Sequence, residues 1–464
     1  MTSFKRSMVL TFAAYMGVIL LDRGAGFVVA YALRRNPGDK GALELIGNLG
    51  FILMSLGNLG LATSLVYFLR RKLHGLRAVV ETTFAMGGLV GTGLAAATIA
   101  GAVLVAHLSA YSMPALHLLV PAVAVVPLLL CTSYLNSAQV AVGRVEAYNL
   151  VNLIPSLLFL PFFLVLFLTG TDAVASSIWS RALVTVLAFL AVFFLVRRLL
   201  KFVPRLHGSF LRPAVGYGWR ANVMSLFTVL GHRLDLYLVW LLVPGPLNGA
   251  DGLPGPPLVA TGIYGFSVTM AELVWHLPES MRDIFFSRVA GHDEEEARAF
   301  TPVVVRNLFL LSLLGGVLVW GPGTWLARLI FADLVGDGGC LRLLLPGAVA
   351  YVAAKIIHFD LAGRGRINLG ILCTGLTLAV MVLFDWLLIP GWGAEGAESG
   401  AKGAALASMI AYVVTSVFSV LLYCRVAGVG VGEVLLPRRS DLVHYRAVWE
   451  GILRRIHGTA KGGG

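Results

Sequence analysis

Charged and amide side chains stand inside apolar runs at spacings that suggest chemistry. Asp22 and Arg23 lie in the first such run, and Arg233 and Asp235 lie in the middle of a later one, 221–243. A charge inside a bilayer costs about 2.5–3.5 kcal/mol on insertion scales, so it persists with a partner, a wet cavity or a task. Adjacent residues diverge by about 100° on a helix, so Asp22 cannot face Arg23. Arg233 and Asp235 diverge as well, and all four need partners on other helices or in a cavity. One reading is a structural interhelical ion pair. The other is that Arg23 and Arg233 meet an anionic group, which a planar, permanently charged guanidinium suits. In the run 260–289, Glu272, His276, Glu279 and Asp283 are spaced i, i+4, i+7, i+11 and share one helical face. Such a stripe faces protein or water, and Pro278 within it predicts a kink. The stripe reads as a cavity wall. Its ligand set is incomplete for a metal, so no metal is expected.

Weaker candidates follow the same logic. Thr132, Asn136 and Gln139 share a face of the run 116–142, and Tyr351, Lys355 and His358 share one of the run 341–362. Amides there are often interhelical glue, and Lys355 is near enough to one end to snorkel. Asp385 beside Trp386 reads as an interfacial pair. Arg23, Arg233, Lys355, Asn136 and Gln139 are therefore the expected substrate-binding set. Asp22, Asp235, Glu272, His276 and Glu279 are the expected coupling and cavity set. A carboxylate drawn into a low-dielectric cavity can trade a proton or bind sodium, so Glu272 is expected to couple and His276 to tune it. No cofactor is expected beyond a coupling H+ or Na+. The alternative, a permanent Glu272–Arg233 pair, stays open.

The elements that must position these residues are membrane helices. Of 464 residues, 58% are apolar and 13% charged, against about 45–50% and about 25% in soluble domains. Mean hydropathy is +0.84. Runs of roughly 20 apolar residues predict about twelve spans, and none alternates as a strand does. The net charge of +12 sits in short loops between spans, so it reads as topology and not as nucleic-acid binding. The richer Lys/Arg loops mark the cytoplasmic side, which predicts both termini inside and a multi-pass protein of a bacterial inner membrane. The cysteines form no CxxC pair.

The two halves resemble each other. Leu116-His-Leu-Leu-Val-Pro121 parallels Leu341-Arg-Leu-Leu-Leu-Pro346, and the Gly143-Arg144 pair parallels Gly363-Arg364. Six spans separate matching elements, so the repeat is parallel, with its pseudo-two-fold along the membrane normal. The expected class is an all-α polytopic membrane protein of two six-helix bundles. The expected division is 1–212, 213–430 and a cytoplasmic tail, 431–464. HExxH, P-loop and GxSxG motifs are absent, and the outer loop 244–257 offers one titratable group, Asp251. A membrane glycosyltransferase, which needs acid–base groups at its substrate, is disfavoured, and no enzyme is expected. A scaffold role remains as the bland reading.

Several stretches together resemble the polysaccharide flippases, the O-antigen and capsule type of the multidrug/oligosaccharidyl-lipid/polysaccharide exporter superfamily. They are Arg34-Arg35-Asn36-Pro37-Gly38-Asp39-Lys40-Gly41, Gly57 to Leu69, Arg233-Leu234-Asp235 with Gly262-Ile263-Tyr264-Gly265, and Gly363 to Arg366 with Leu388-Ile389-Pro390 and Gly403-Ala404-Ala405. The resemblance spans nearly the whole chain. It implies a central cavity and an undecaprenyl-pyrophosphate-linked oligosaccharide carried by alternating access for cell-surface polysaccharide biosynthesis. Membrane lipids and polysaccharide assembly proteins would be its partners. The alternative is a cation-coupled small-molecule or drug antiporter of the same superfamily. The loops 244–257 and 391–402 look longer than the family pattern.

Overall fold

In hydrocarbon every backbone N–H and C=O must be paired within the segment, and an apolar run without strand alternation does this as a helix. The computed structural model describes residues 2–108, 116–246, 254–280 and 294–438. Asp283, the tip of the loop 244–257 and most of the tail lie outside these residues. The first half comprises α1 (Thr2–Ala32), α2 (Pro37–Gly57), α3 (Leu61–Arg70), α4 (Leu76–Leu108), α5 (Leu116–Ala124), α6 (Val126–Ala141), α7 (Val145–Leu168) and α8 (Ala173–Arg197). The second comprises α9 (Gly208–Leu242), α10 (Pro256–Ala271), α11 (His276–Ser280), α12 (Glu294–Leu318), α13 (Thr324–Phe331), α14 (Gly339–Gly363), α15 (Ile367–Gly393), α16 (Ala397–Ala427) and α17 (Val431–Leu435). Among the described residues, eleven helices are long and apolar enough to span a membrane, or twelve if α2 and α3 are one bent span. The protein is a multi-pass membrane protein.

The breaks have local causes. Between α2 and α3 the chain bends by 48°, with Leu59 and Gly60 at φ of 52° and 73°. The Tyr134 hydroxyl reaches the carbonyls of Gly57 and Asn58, at 3.3 and 2.9 Å, and the Asn58 carbonyl also accepts the Leu61 N–H at 2.9 Å. The eighth span is broken as Pro278 predicts. Its α-helix tightens to a 3-10 turn over Glu272–Trp275 before α11. Pro278 has no N–H for the Val274 carbonyl, and the Ser312 hydroxyl donates to that oxygen at 3.3 Å instead. Residues 319–323, which contain Pro322, form a π-helical turn between α12 and α13.

Two lobes result. The buried apolar residues of α2 to α8 form two clusters, and those of α9 to α17 form a third. α9 joins the lobes: Phe210 and Ala214 pack with the first lobe's core, while Leu236 and Val239 lie in the second's. The expected joint at 212/213 thus falls within one continuous helix. The lobes meet along a glycine-lined seam. A Cβ on Gly41 of α2 would lie 2.0 Å from the Leu258 carbonyl oxygen, and one on Gly262 of α10 would lie 1.8 Å from that of Pro37. Further along, a Cβ on Gly60 would lie 2.1 Å from the Gly218 carbonyl oxygen. Only glycine permits such backbone approach.

Candidate functional site: an inter-lobe ion cluster and a buried carboxylate pair

The 3-10 turn presents Glu272 to both lobes. Arg233 of α9 grips it with a fork: Nη1 reaches Oε1 at 3.0 Å and Nη2 reaches Oε2 at 3.3 Å. Arg23 of α1, in the other lobe, donates Nη2 to the same Oε2 at 3.2 Å. Glu272 is nearly buried, whereas the two guanidinium side chains are 29% and 24% exposed. The pairing gives each arginine a protein carboxylate. It also has a mechanical consequence. The fork lies within one lobe and only the Arg23 bond crosses, so separating the lobes leaves Glu272 neutralised and needs water only for Arg23. Removing a buried charge's sole partner would cost about 3–5 kcal/mol.

Beside this pair, Lys355 of α14 does not snorkel. It is 8% exposed, its Nζ lies 2.5 Å from Glu279 Oε1, and it sits 4.2 Å from the Trp275 ring centroid. His276 Nδ1 approaches Glu279 Oε2 at 4.0 Å. Arg23, Arg233, Lys355, Glu272, His276 and Glu279 thus form one cluster between the lobes, with Glu44 of α2 within electrostatic range of Arg233.

Four expected residues lie elsewhere. Asn136 donates to Asn152 Oδ1 at 3.0 Å within the first lobe, and the buried amide of Gln139 has no partner among the described residues. Asp22 has Ser156 and Arg181 as its neighbours in that same lobe. Asp235 lies in the interior of the second lobe, where the Tyr264 hydroxyl donates to Oδ2 at 2.5 Å and Ser408 Oγ stands 3.5 Å away.

Sequence reasoning missed Asp385. Its neighbour Trp386 is 58% exposed, but Asp385 is 0% exposed and neither carboxylate oxygen has a hydrogen-bond partner among the described residues. Asp235 is within electrostatic range of it. The Asp385 side chain therefore faces the lobe interior and not lipid. The missed signal is a stripe along α15: Cys373, Thr377, Met381, Asp385 and Ile389 follow one another at i+4 and all are buried. Trp386 is one residue further and points about 100° away. Among the described residues no group of three or more His, Cys, Asp and Glu could hold a metal ion.

No protein-family model and no curated protein matches the sequence. Solved structures do match the fold. An inward-facing multidrug-resistance MATE transporter of the MOP superfamily superposes with a TM-score of 0.69 at 12% identity, covering 91% of this chain and 98% of that one. An outward-facing one gives 0.58 at 13% identity, covering 92% and 97%. A MOP-superfamily transporter from Pyrococcus furiosus, whose reversed binding-pocket polarity suggests a different function, gives 0.56 at 12%, covering 91% and 96%. The protein has the two-lobed fold of these MATE and MOP transporters.

These likenesses correct the expected family. The similar solved structures are multidrug MATE and other MOP transporters, not polysaccharide flippases, and the lipid-linked oligosaccharide, its assembly partners and the flippase function fall with that expectation. The physical reason lies in what the resembling stretches do. Gly262 and Gly265 admit Pro37 and Glu44, Arg364 pairs with Asp360 at 2.7 Å, Gly365 takes a φ of 72°, and Gly403 packs on α15. These glycines and the Arg364 pair answer demands of packing and turns and carry no information about cargo; Arg233 and Asp235, in the same stretches, are bound to Glu272 and Tyr264.

Proposed function

We propose that this protein is a cation-coupled antiporter that moves a small organic molecule across the membrane by alternating access of its two lobes. The observation that carries the reading is Asp385, a wholly buried carboxylate without a hydrogen-bond partner among the described residues, in electrostatic range of Asp235. Burying a bare carboxylate costs several kcal/mol or more, so its charge is met by a bound proton or monovalent cation. The second lobe can thus exist in two charge states. Cation binding there and substrate binding at the inter-lobe cluster would bias the same two-state element, which is what coupling requires. In this reading Glu272 serves as the gate between lobes and Asp235 with Asp385 as the coupling pair. Asp22, Asn136 and Gln139 would line the first lobe. The basic loops support an inner-membrane protein with both termini cytoplasmic.

Reconstitution tests this. Proteoliposomes should accumulate a fluorescent organic cation such as ethidium when an opposing proton or sodium gradient is imposed, and lose it when an ionophore collapses the gradient. Accumulation indifferent to both gradients, or none across a panel of organic ions, would contradict the proposal.

A further inference from the structure

One wall of the inter-lobe cluster is built like a cation site, and it is already full. Trp275 and Tyr351 present aromatic faces to the Lys355 ammonium, at 4.2 and 5.9 Å from the ring centroids. Glu279 supplies a carboxylate oxygen at 2.5 Å. An aromatic face plus a carboxylate is the chemistry that recognises a substituted ammonium or phosphonium group. The ring is held rigidly: Trp275 Nε1 donates to the Ala348 carbonyl at 2.7 Å, and its indole packs against His232 and Tyr412. A recognition surface fixed by its own supporting contacts is pre-organised. Glu279 keeps a third of its side chain exposed, so the site has an open side.

We propose that Trp275, Tyr351 and Glu279 form the subsite for the cationic head group of the transported molecule, and that Lys355 is a tethered occupant which the substrate displaces. The proposal rests on the antiporter reading above. The exchange is physically reasonable because a primary ammonium is strongly hydrated and is held there at a desolvation cost, whereas a bulky organic cation has less hydration to lose. Lysine's four-carbon stem lets the displaced ammonium swing. A second carboxylate within its electrostatic range is Glu272. There it would compete with Arg23, so occupying the subsite would loosen the Arg23–Glu272 ion pair that crosses the lobes. Substrate arrival and gate release would then be a single event.

The test is equilibrium binding of radiolabelled tetraphenylphosphonium to the purified full-length protein. Lys355→Met removes the tethered charge and keeps the bulk, so it should tighten binding about tenfold or more, the scale of a desolvated cation–π contact. Trp275→Leu should weaken binding by a similar factor, Trp275→Phe much less, and Trp275→Leu placed on Lys355→Met should cancel the gain. Unchanged or weaker binding in Lys355→Met would overturn the proposal. If that variant does not purify as a single species, equal affinities for Trp275→Phe and Trp275→Leu overturn it. Gradient-driven ethidium transport separates the two failures. Wild-type transport with no response to these substitutions removes the tethered-occupant idea alone, whereas no organic-cation transport in any variant removes both.

Discussion

Glu272 holds guanidinium groups from two lobes, and the two bonds are not equivalent. The Arg233 fork is a two-bond pairing inside one lobe, while Arg23 contributes one bond across the gap. Glu272→Gln should therefore lower thermal stability, with Arg233→Gln in the same protein restoring much of the loss. A double-mutant cycle on unfolding should give a Glu272–Arg233 coupling of about 1–3 kcal/mol and a smaller Glu272–Arg23 value, since the arginines are partly hydrated. Equal couplings would mean the inter-lobe bond is as permanent as the fork. At this scale the sequence was informative where a charge stood mid-span: Arg23, Arg233 and Glu272 were legible as residues needing a partner or a cavity, whereas Lys355 read as able to snorkel and is instead held by Glu279. The Glu272–Arg233 pair was legible as one of two readings, but that Arg23 shares the same carboxylate was not, because Arg23 and Glu272 are 249 residues apart. Asp385 was lost to its neighbour, Trp386, which drew attention to the lipid interface although the two side chains point in different directions.

Helix packing carries the next prediction. The α2–α10 seam closes only because Gly41 and Gly262 lack side chains. Gly262→Val places a branched chain where the Pro37 carbonyl stands, so one element must move. The variant should still insert in the membrane but should hold the lobes apart on that side. Disulfide cross-linking between single cysteines placed on α2 and α10 away from the seam glycines should fall sharply; undiminished cross-linking would contradict the seam. A second element-scale prediction concerns the turn before α14. Burial acts to raise the Asp337 carboxyl, but hydrogen bonds with Glu398 and Lys402 outweigh it and hold the group down to about 2. Its folded value is depressed, so the contribution of this tether is complete above about pH 4, the unfolded carboxylate's range, and is lost as pH falls towards 2. Protection of the Asp337 backbone N–H, which donates to Glu398 at 2.8 Å, should be constant from pH 5 to 8. Loss of exchange protection within that window would contradict the assignment. The kink at Pro278 was legible from proline chemistry. Its compensation by Ser312 was not, because that hydroxyl arrives from another span.

The whole molecule was the most legible scale. Composition and run length sufficed for an all-α membrane protein of about twelve spans, because lipid leaves the backbone so few options, and the matched motifs of the two halves supplied the two lobes. Cargo was not legible. Gly262, Gly403 and the Gly363-Arg364 pair recur where the fold packs or turns, so a likeness built on them names a fold and not a substrate. Orientation remains a prediction. In a background lacking the native cysteines, Asn248→Cys should react with an impermeant thiol reagent in intact cells and Ser440→Cys should not, and the reverse pattern would invert the topology. The central claim is that a charge-neutralising event at Asp385 couples the lobes. The most direct measurement compares wild type and Asp385→Asn in the same proteoliposomes, for substrate counterflow without a gradient and for uphill accumulation with one. The asparagine mimics the neutral state permanently, so counterflow should persist while gradient-driven accumulation is abolished. Uphill accumulation at the wild-type level in Asp385→Asn would contradict the account.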